Sequence, residues 1–283
     1  MLSDGLMNTA KMDKAVVLAR GLGTRMRKHD GPARLTAEQS AAADAGVKPM
    51  MPIDPTAGRP FLDYLLTAVA DAGYRRICLV VGPEQEAVRA HYRGLAAQRV
   101  SIEFAVQAEP RGTADAVAAA EEFAAGEHFL AVNGDNYYPP EAMGAMRKLG
   151  GMGLAAFERD GMLAGGNVSP DRLGKFAVVR IDSRGYLTEI IEKPAPDVIA
   201  GLAEPVCVSM NCWRFGPAIF TACRAIPPSP RGELEITSAV QYAIDELGER
   251  FRALTFALPV LDLSSRSDVE PVARRLAGVE VDL

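Results

Sequence analysis

The chain has 283 residues, of which 48% are hydrophobic and 24% charged, and its formal net charge is −5. This composition excludes a disordered chain, and the acidic balance argues against a nucleic-acid-binding surface. No apolar run approaches the about 20 residues of a membrane-spanning helix. The first residues carry acids and lack the apolar core of a signal peptide. We therefore expect a folded chain that binds neither nucleic acid nor membrane.

The first half of the chain alternates strands with helices. Residues 1–13 predict a flexible tail, and the apolar runs that follow predict buried strands over 15–19, 75–82, 101–107 and 128–135. Helices are predicted over 60–72, 84–92 and 113–125, with a short helix in the polar stretch 29–47 that ends at Gly46. Because these strands are apolar throughout, they predict a mostly parallel sheet covered on both faces.

The second half changes character. It predicts a hairpin that turns at 182–185, a long strand over 205–215, helices over 217–224 and 237–247, a strand over 251–262 and a last helix over 267–276. No repeat and no Pro/Gly/Ser-rich linker divides the chain. We expect one α/β domain over 14–283, in which about 14–150 form one half and about 151–283 the other.

The cysteines and histidines do not form a metal site or a disulfide framework. The cysteines are scattered without a C-x-x-C pair, and the three histidines lack zinc-ligand spacing. Buried free thiols and a reducing cytoplasm are the expectation. The cysteines are Cys78, Cys207, Cys212 and Cys223.

A glycine-rich, basic loop follows the first strand, LARGLGTRM at 18–26. In an open α/β sheet, ligands bind beyond the carboxyl ends of the strands. The glycines let backbone N–H groups approach phosphate oxygens, and the planar guanidinium of Arg25 suits phosphate. The loop matches neither a Walker sequence nor the third glycine of a dinucleotide-binding loop, since Met26 stands there.

That string resembles the signature L-A-[GA]-G-x-G-T-R-[LM] of the sugar-1-phosphate nucleotidyltransferases, also called nucleoside-diphosphate-sugar pyrophosphorylases. The resemblance continues in family order through Lys48 before a proline, GTADAV at 112–117, NGD at 133–135, EKP at 192–194 and Asp262 after a late strand. It implies a three-layer α/β/α, Rossmann-like (GT-A-like) fold with a mixed, mostly parallel central sheet. The chain ends without a hexapeptide-repeat extension, so no fused acetyltransferase domain is expected.

The resemblance also implies the reaction. An oxygen of a sugar 1-phosphate attacks the α-phosphorus of a nucleoside triphosphate in line, and pyrophosphate leaves. The nucleophile is already anionic, so positioning and electrostatic stabilisation carry the catalysis rather than a general base. The partners are the two substrates, and a homo-oligomer is left open.

The resemblance assigns roles to individual residues. Arg25 would hold the triphosphate, and Lys48 would neutralise phosphate charge near the attack. Asp135, with Asp262 as the second carboxylate, would hold Mg²⁺, which takes one or two carboxylates plus substrate phosphates. Asp262 departs from the family in its sequel, Leu263-Ser264 in place of a Thr/Val-Gly pair. The nucleotide-binding residues would be Leu18, Ala19, Arg20, Gly21, Gly23, Thr24, Arg25, Gln107, Gly112 and Thr113.

The base and the sugar are specified less fully. The Gln107 amide offers a donor and an acceptor, which match the O4/N3–H edge of uracil or thymine and favour UTP or dTTP. GTP, ATP and CTP stay open, because GTADAV also resembles adenylyl-transferring members. Glu192 would bind sugar hydroxyls and Lys193 the sugar phosphate. The remaining predicted sugar-phosphate-binding residues are Asn133, Phe176, Ala177 and Asn211.

The sequence departs from the family pattern at two places, and each departure leaves more than one possible role for the residues concerned. Arg20 replaces a Gly or Ala, and it could stack on the nucleotide, hydrogen-bond to it or block it. The stretch 29–47 could be a lid or a surface insertion. A non-catalytic nucleotide-sugar sensor is the rival from another class, supported by Arg20. A transferase that uses a finished nucleotide sugar is disfavoured, since Asp135 begins no D-x-D motif.

Overall fold

The computed structural model of the chain describes residues 12–21, 23–29, 33–54 and 58–283. Most of the predicted tail and Leu22 of the glycine-rich loop lie outside the described residues. Residues 12 and 13 belong to the folded part, contrary to the tail prediction. Met12 is buried in the core, and the carbonyl oxygen of Asp13 accepts N–H groups from Arg75 and Arg76.

The strands of the described chain are β1 (Lys14–Leu18), β2 (Arg76–Val81), β3 (Ser101–Val106), β4 (Phe129–Asn133), β5 (Asn136–Tyr137), β6 (Met152–Glu158), β7 (Ala177–Ile181), β8 (Leu187–Ile191), β9 (Cys207–Phe215), β10 (Phe251–Phe256) and β11 (Leu261–Asp262).

The helices are α1 (Thr24–Arg27), α2 (Ala37–Ala45), α3 (Phe61–Asp71), α4 (Glu86–Gly94), α5 (Thr113–Ala118), α6 (Glu121–Ala124), α7 (Pro140–Lys148), α8 (Arg159–Gly165), α9 (Pro170–Leu173), α10 (Pro196–Ala200), α11 (Ala218–Ala225), α12 (Ile236–Asp245) and α13 (Val269–Leu276), with short 3₁₀ turns at Lys48–Met50 and Arg266–Asp268.

One mixed sheet runs through both halves of the chain in the order β10-β6-β9-β4-β1-β2-β3. β3, β2, β1 and β4 are parallel to one another, whereas β9 is antiparallel to both β4 and β6. The hairpin β7–β8 joins the sheet through β9, and the short pair β5–β11 lies apart from it. The carboxyl ends of β1, β3 and β4 therefore lie along the same edge, as in doubly wound folds.

The parallel strands are buried on both faces. Along β1, Ala15 and Val17 pack into one apolar cluster and Val16 into another, and β2 divides in the same way, with Leu79 in the first and Cys78 in the second. Alternate residues of a strand point to opposite faces, so the two clusters are the two covered faces of the sheet. The parallel sheet predicted from the apolar runs of the first half is confirmed for β1 to β4, and the sheet as a whole is mixed, as the resemblance implied.

Several elements differ from the predictions. β6 and α7 were not predicted, because β6 is rich in Gly and Ala and α7 contains Gly144. Burial of β6 between β9 and β10 overrides its low strand propensity. The strand predicted over 251–262 is divided into β10 and β11, with Pro259, which cannot donate to a ladder, between them. The helix predicted over 113–125 is divided into α5 and α6.

The predicted hairpin and the free thiols are present. β7 and β8 turn at 182–185, where Gly185 takes a φ of 79° and the Asp182 carboxylate accepts the N–H groups of Arg184 and Tyr186. All four cysteines are free and buried, and burial raises the pKa of Cys78 to about 12. Within the described part of the chain, no helix combines the length and the apolar content needed to cross a bilayer.

Candidate active site

A cavity of about 370 Å³ opens at the carboxyl ends of β1, β3 and β4. It brings together every predicted nucleotide-binding residue and three further predicted residues, Lys48, Asn133 and Asp135. Residues from four separated segments thus share one cleft. The nucleotide-binding residues on its wall are Leu18, Ala19, Arg20, Gly21, Gly23, Thr24, Arg25, Gln107, Gly112 and Thr113.

The glycine-rich loop packs closely against the stretch that follows it. Gly23 has a φ of 60°, and a Cβ there would lie 2.1 Å from the carbonyl oxygen of Gly46. Only glycine fits this left-handed, crowded position. The Arg27 side chain also donates to the carbonyl oxygen of Ala45 at 2.9 Å. The described part of the predicted lid or insertion, 33–47, therefore holds the glycine-rich loop in place.

Arg25 is the basic residue of the loop whose side chain has no partner among the described residues. It lies in α1, is exposed and lines the cavity. Its guanidinium makes no hydrogen bond or ion pair with any described residue, whereas Arg27 on the same helix is engaged. A guanidinium facing a cavity without a protein counter-ion is suited to hold a phosphate.

Lys48 and Asp135 face each other across the cavity wall. Lys48 is buried in its 3₁₀ turn, and its ammonium donates to Asp135 Oδ2 at 2.9 Å. Asp135 follows β4 and is half-buried. The chain thus places one cation and one carboxylate beside the loop that carries Arg25, as the resemblance implied.

Asp262 lies next to this pair but does not line the cavity. The residue is only 4% exposed, and Oδ1 accepts hydrogen bonds from Asn136 Nδ2 and Ser264 Oγ, each at 3.0 Å. Burial, followed by the nearby charge of Asp135, raises the pKa of Asp262. Two carboxylates that repel each other fit a divalent cation. Within the described ranges, no three His, Cys, Asp or Glu side chains group into a metal site.

Arg172 was not anticipated from the sequence. It lies in α9, and its guanidinium bridges Asp262 Oδ2 and Asp268 Oδ1. No motif marks this residue, since the contact depends on how α9 packs near β11. Other unanticipated residues on the cavity wall are Pro49, Pro110, Ala116, Gly134 and Glu233.

Gln107 is 3% exposed, and its amide nitrogen is fully engaged. Nε2 donates to the carbonyl oxygen of Gly112 at 3.0 Å and to Asp115 Oδ2 at 2.8 Å. The expectation that this side chain offers a base both a donor and an acceptor is therefore wrong for this conformation, because the protein itself uses the donors. Oε1 remains.

Arg20 has a defined role in the wall of the cavity. Its side chain is 6% exposed, and Nε and Nη2 each donate to the Glu84 carboxylate at 3.1 Å. Nη1 donates to the carbonyl oxygen of Gln107. The guanidinium ties the loop after β1 to the ends of β2 and β3, so it is not free for phosphate, and the cavity stays open beside it.

Most of the predicted sugar-phosphate-binding residues do not line this cavity. Asn133 lines the cavity, but Phe176, Ala177, Glu192, Lys193 and Asn211 do not. The Glu192 carboxylate faces a second cavity, of about 390 Å³, near Thr237. Desolvation there, then the charge of Glu235, raises the pKa of Glu192.

Two of these residues have unusual backbone geometry. Lys193 has a φ of 45° and Asn211 a φ of 55°, and Asn211 Oδ1 accepts the Trp213 indole N–H at 3.1 Å. Non-glycine residues in the left-handed region are uncommon and concentrate at functional sites.

Tyr138 supports the strand end that leads to Asp135. The hydroxyl is fully buried, donates to the carbonyl oxygen of Met210 at 2.6 Å and accepts the Asn133 N–H at 3.1 Å. Tyr138→Phe should lower the free energy of unfolding by about 1–3 kcal/mol, because both groups lose their partner in the interior. Urea titration of the variant measures the loss. Tyr186→Phe is the control, since its hydroxyl bonds to no described residue, and an equal loss in both variants would contradict the argument.

Comparison with known proteins identifies the class. The nucleotidyl transferase family model matches residues 14–256, and the chain belongs to this family, whose members typically use Mg²⁺. The predicted enzyme class, EC 2.7.7.-, is confirmed.

Individual proteins with similar sequences or structures support this family assignment. The chain is 29% identical, over 93% of its length and 96% of the relative's, to the UTP–glucose-1-phosphate uridylyltransferase AglF of Haloferax volcanii. It is 31% identical to the glucose-1-phosphate thymidylyltransferase of Streptomyces griseus, over 82% of this chain but only 57% of that relative. A crystal structure of UDP-glucose pyrophosphorylase complexed with UDP-glucose superposes with a TM-score of 0.72 at 17% identity, covering 95% of this chain and 100% of that one. This likeness confirms the predicted fold class.

Proposed function

We propose that the chain transfers a nucleotidyl group from UTP or dTTP to a sugar 1-phosphate, and that it forms a nucleoside-diphosphate sugar and pyrophosphate. The observation that carries the proposal is the single cavity that contains a free Arg25, the Lys48–Asp135 pair and the oxygen of Gln107. The uridylyl and thymidylyl relatives named above support the choice of UTP or dTTP.

The residues of the cavity suit a reaction between two anions. An oxygen of the sugar phosphate attacks the α-phosphorus, and the bond from phosphorus to the pyrophosphate oxygen breaks. Arg25 holds the departing phosphates, and the glycine-rich loop presents N–H groups to them. Lys48 offsets the charge that would otherwise keep the two phosphate esters apart. No general base is required, because the attacking oxygen is already ionised.

Asp135 and Asp262 are the residues that would hold Mg²⁺. Their mutual repulsion and their carboxylate oxygens suit this hard cation. When bound, Mg²⁺ supplies positive charge to the triphosphate. Arg172 must then share or release Asp262 Oδ2, since its guanidinium occupies that oxygen.

The sugar would bind beside Asn133, toward the second half of the chain. We propose Glu192, Lys193, Phe176, Ala177 and Asn211 as its contacts. The left-handed backbone of Lys193 and Asn211 supports this placement, since such strain persists where the surrounding structure holds a residue for a purpose. Movement of the Glu192 carboxylate out of the second cavity would be needed on binding.

Pyrophosphate release tests the proposal. The chain is incubated with Mg²⁺ and each of UTP, dTTP, GTP, ATP and CTP, paired with a panel of sugar 1-phosphates. We expect release that requires both substrates and is fastest with UTP or dTTP. Tight nucleotide-sugar binding without release from any pair would refute the proposal and favour the sensor.

Two organisational statements belong to the same proposal. We propose a single domain over 14–283, which the sheet shared by both halves supports. We also propose a cytoplasmic location, in keeping with four free, buried thiols.

A further inference from the structure

We infer that Asp115 fixes which atom of the Gln107 amide faces the base, and that the site thereby selects bases with a ring N–H at the pairing edge. Uracil and thymine present such a group, whereas cytosine presents a ring nitrogen lone pair at the same position. The inference deepens the proposed function and rests on it, because it takes the cavity as the nucleotide site.

The orientation of the Gln107 amide follows from its neighbours. Nε2 lies 3.0 Å from the carbonyl oxygen of Gly112 and 2.8 Å from Asp115 Oδ2. Both neighbours can only accept in this arrangement, so they require the amide nitrogen between them. Turning the amide over would bring Oε1 against a carboxylate and a carbonyl oxygen and would remove two hydrogen bonds.

Oε1 is therefore the atom of Gln107 left for a ligand. The backbone N–H of Gln107 donates to the carbonyl oxygen of Val81 at 2.9 Å, and its carbonyl oxygen accepts from Arg20. Nothing in the described part of the chain donates to Oε1, and Gln107 lies on the cavity wall. Because Gln107 is almost fully buried, an Oε1 atom without a hydrogen-bond donor favours a ligand that presents an N–H group to it. It disfavours a ligand that presents a lone pair.

Asp115 does not line the cavity, so it acts through Gln107 as a positioning residue. It lies in the first turn of α5, and its own carboxylate is anchored on the far side. Arg111 donates to Oδ1 through Nε at 3.2 Å and Nη2 at 2.7 Å, which leaves Oδ2 for Gln107. Asp115 thus holds Gln107 so that Oε1 is the atom that faces the base, while Arg111 contacts only the other oxygen of the Asp115 carboxylate.

Binding of UDP and CDP to the full chain tests the inference. These ligands have the same phosphates and ribose, and their rings differ at the pairing edge. Calorimetry should give UDP an affinity about 10 to 100 times that of CDP in the wild type, as expected when a buried polar group is matched or mismatched. Equal affinities would overturn the inference whatever the variants do.

Asp115→Asn separates a positioning role from a merely structural one. Arg111 should keep the oxygen of the substituted side chain, so that the new NH₂ group faces Gln107 and the glutamine amide is no longer held in one orientation. We expect the UDP-to-CDP affinity ratio to fall about tenfold, with UDP weakened and CDP strengthened. A folded variant that loses affinity equally for both ligands would overturn the inference.

The control variants use Arg111. Arg111→Ala leaves the carboxylate in place and should retain the wild-type ratio. In the double variant Arg111→Ala/Asp115→Asn, the new amide at position 115 is free to turn its oxygen toward Gln107, so the ratio should recover most of its wild-type value. A double variant with the same ratio as Asp115→Asn alone would contradict the positioning role of Asp115.

The readout separates this inference from the proposed function. A protein that prefers UDP in the Asp115-dependent manner but releases no pyrophosphate would refute the proposed function and retain the inference. A protein that releases pyrophosphate with a UTP-to-CTP preference unaffected by Asp115→Asn would do the reverse.

Discussion

Asp135→Ala is expected to lower kcat for pyrophosphate release by a factor of about 10² to 10⁴, the range found when a preorganised electrostatic group is removed from a transition state. The variant removes one of two proposed magnesium carboxylates and leaves the buried Lys48 ammonium without its partner 2.9 Å away. The Mg²⁺ concentration that gives half-maximal rate should also rise, because Asp262 alone would hold the ion. Initial rates at saturating substrates, measured over a magnesium titration, provide both quantities.

Asp160→Ala is the matched control for this change. The Asp160 side chain is 80% exposed and, among the described residues, pairs only with Arg159, so its loss should leave the rate and the magnesium dependence within about twofold of the wild type. Thermal unfolding of both variants establishes that they are folded. A wild-type rate in Asp135→Ala would remove this residue from the metal role.

The nucleotide half of the site could be predicted because its information is local. The glycine-rich loop, its preceding strand and Arg25 are consecutive in sequence, and a strand that ends in a glycine loop fixes where that loop lies. Lys48, Gln107 and Asp135 were predicted because each lies in or shortly before a motif, and the parallel sheet brings their segments to one edge. The meeting of these residues on one cavity wall thus depends mainly on the order of the strands in the sheet.

The orientation of side chains could not be predicted in the same way. Gln107 donates both amide hydrogens to the protein only because α5 places Asp115 beside it and the loop brings Gly112 close. Arg20 reaches Glu84 and Gln107 because three strand ends are adjacent. These contacts depend on tertiary packing, and no spacing of residues in the sequence predicts them.

The sugar half was less predictable for a related reason. Most of its residues lie in or beside the hairpin β7–β8 and strand β9, which join the sheet through antiparallel pairs with register shifts. β6, in the middle of this region, has too little β-branched sequence to be recognised, and its burial alone makes it a strand. The relative positions of Glu192, Lys193 and Asn211 therefore depend on elements that the sequence does not mark.

Arg25→Ala should lower kcat/KM for the nucleoside triphosphate by a factor of about 10² to 10⁴, because a guanidinium that holds the departing phosphates stabilises the transition state more than the ground state. The side chain is exposed, lines the cavity and bonds to no described residue, so it does not contribute to the stability of the described part of the fold. Stability should accordingly change by no more than about 0.5 kcal/mol, as for ordinary surface substitutions. Initial rates with varied UTP and dTTP, together with urea unfolding, measure the two effects.

Arg27→Ala provides the opposite pattern on the same short helix. Arg27 donates to the carbonyl oxygen of Ala45 and packs over Gly46, so its loss should destabilise the stretch behind the loop while the triphosphate contacts remain. Arg25→Lys should recover part of the activity, since an ammonium supplies the charge but not the planar pair of donors. Equal rate losses in Arg25→Ala and Arg27→Ala, or full activity in Arg25→Ala, would show that Arg25 does not hold the phosphates. In either case the stabilisation of the departing pyrophosphate would have to come from Lys48, the loop N–H groups and the Mg²⁺ that Asp135 and Asp262 would hold.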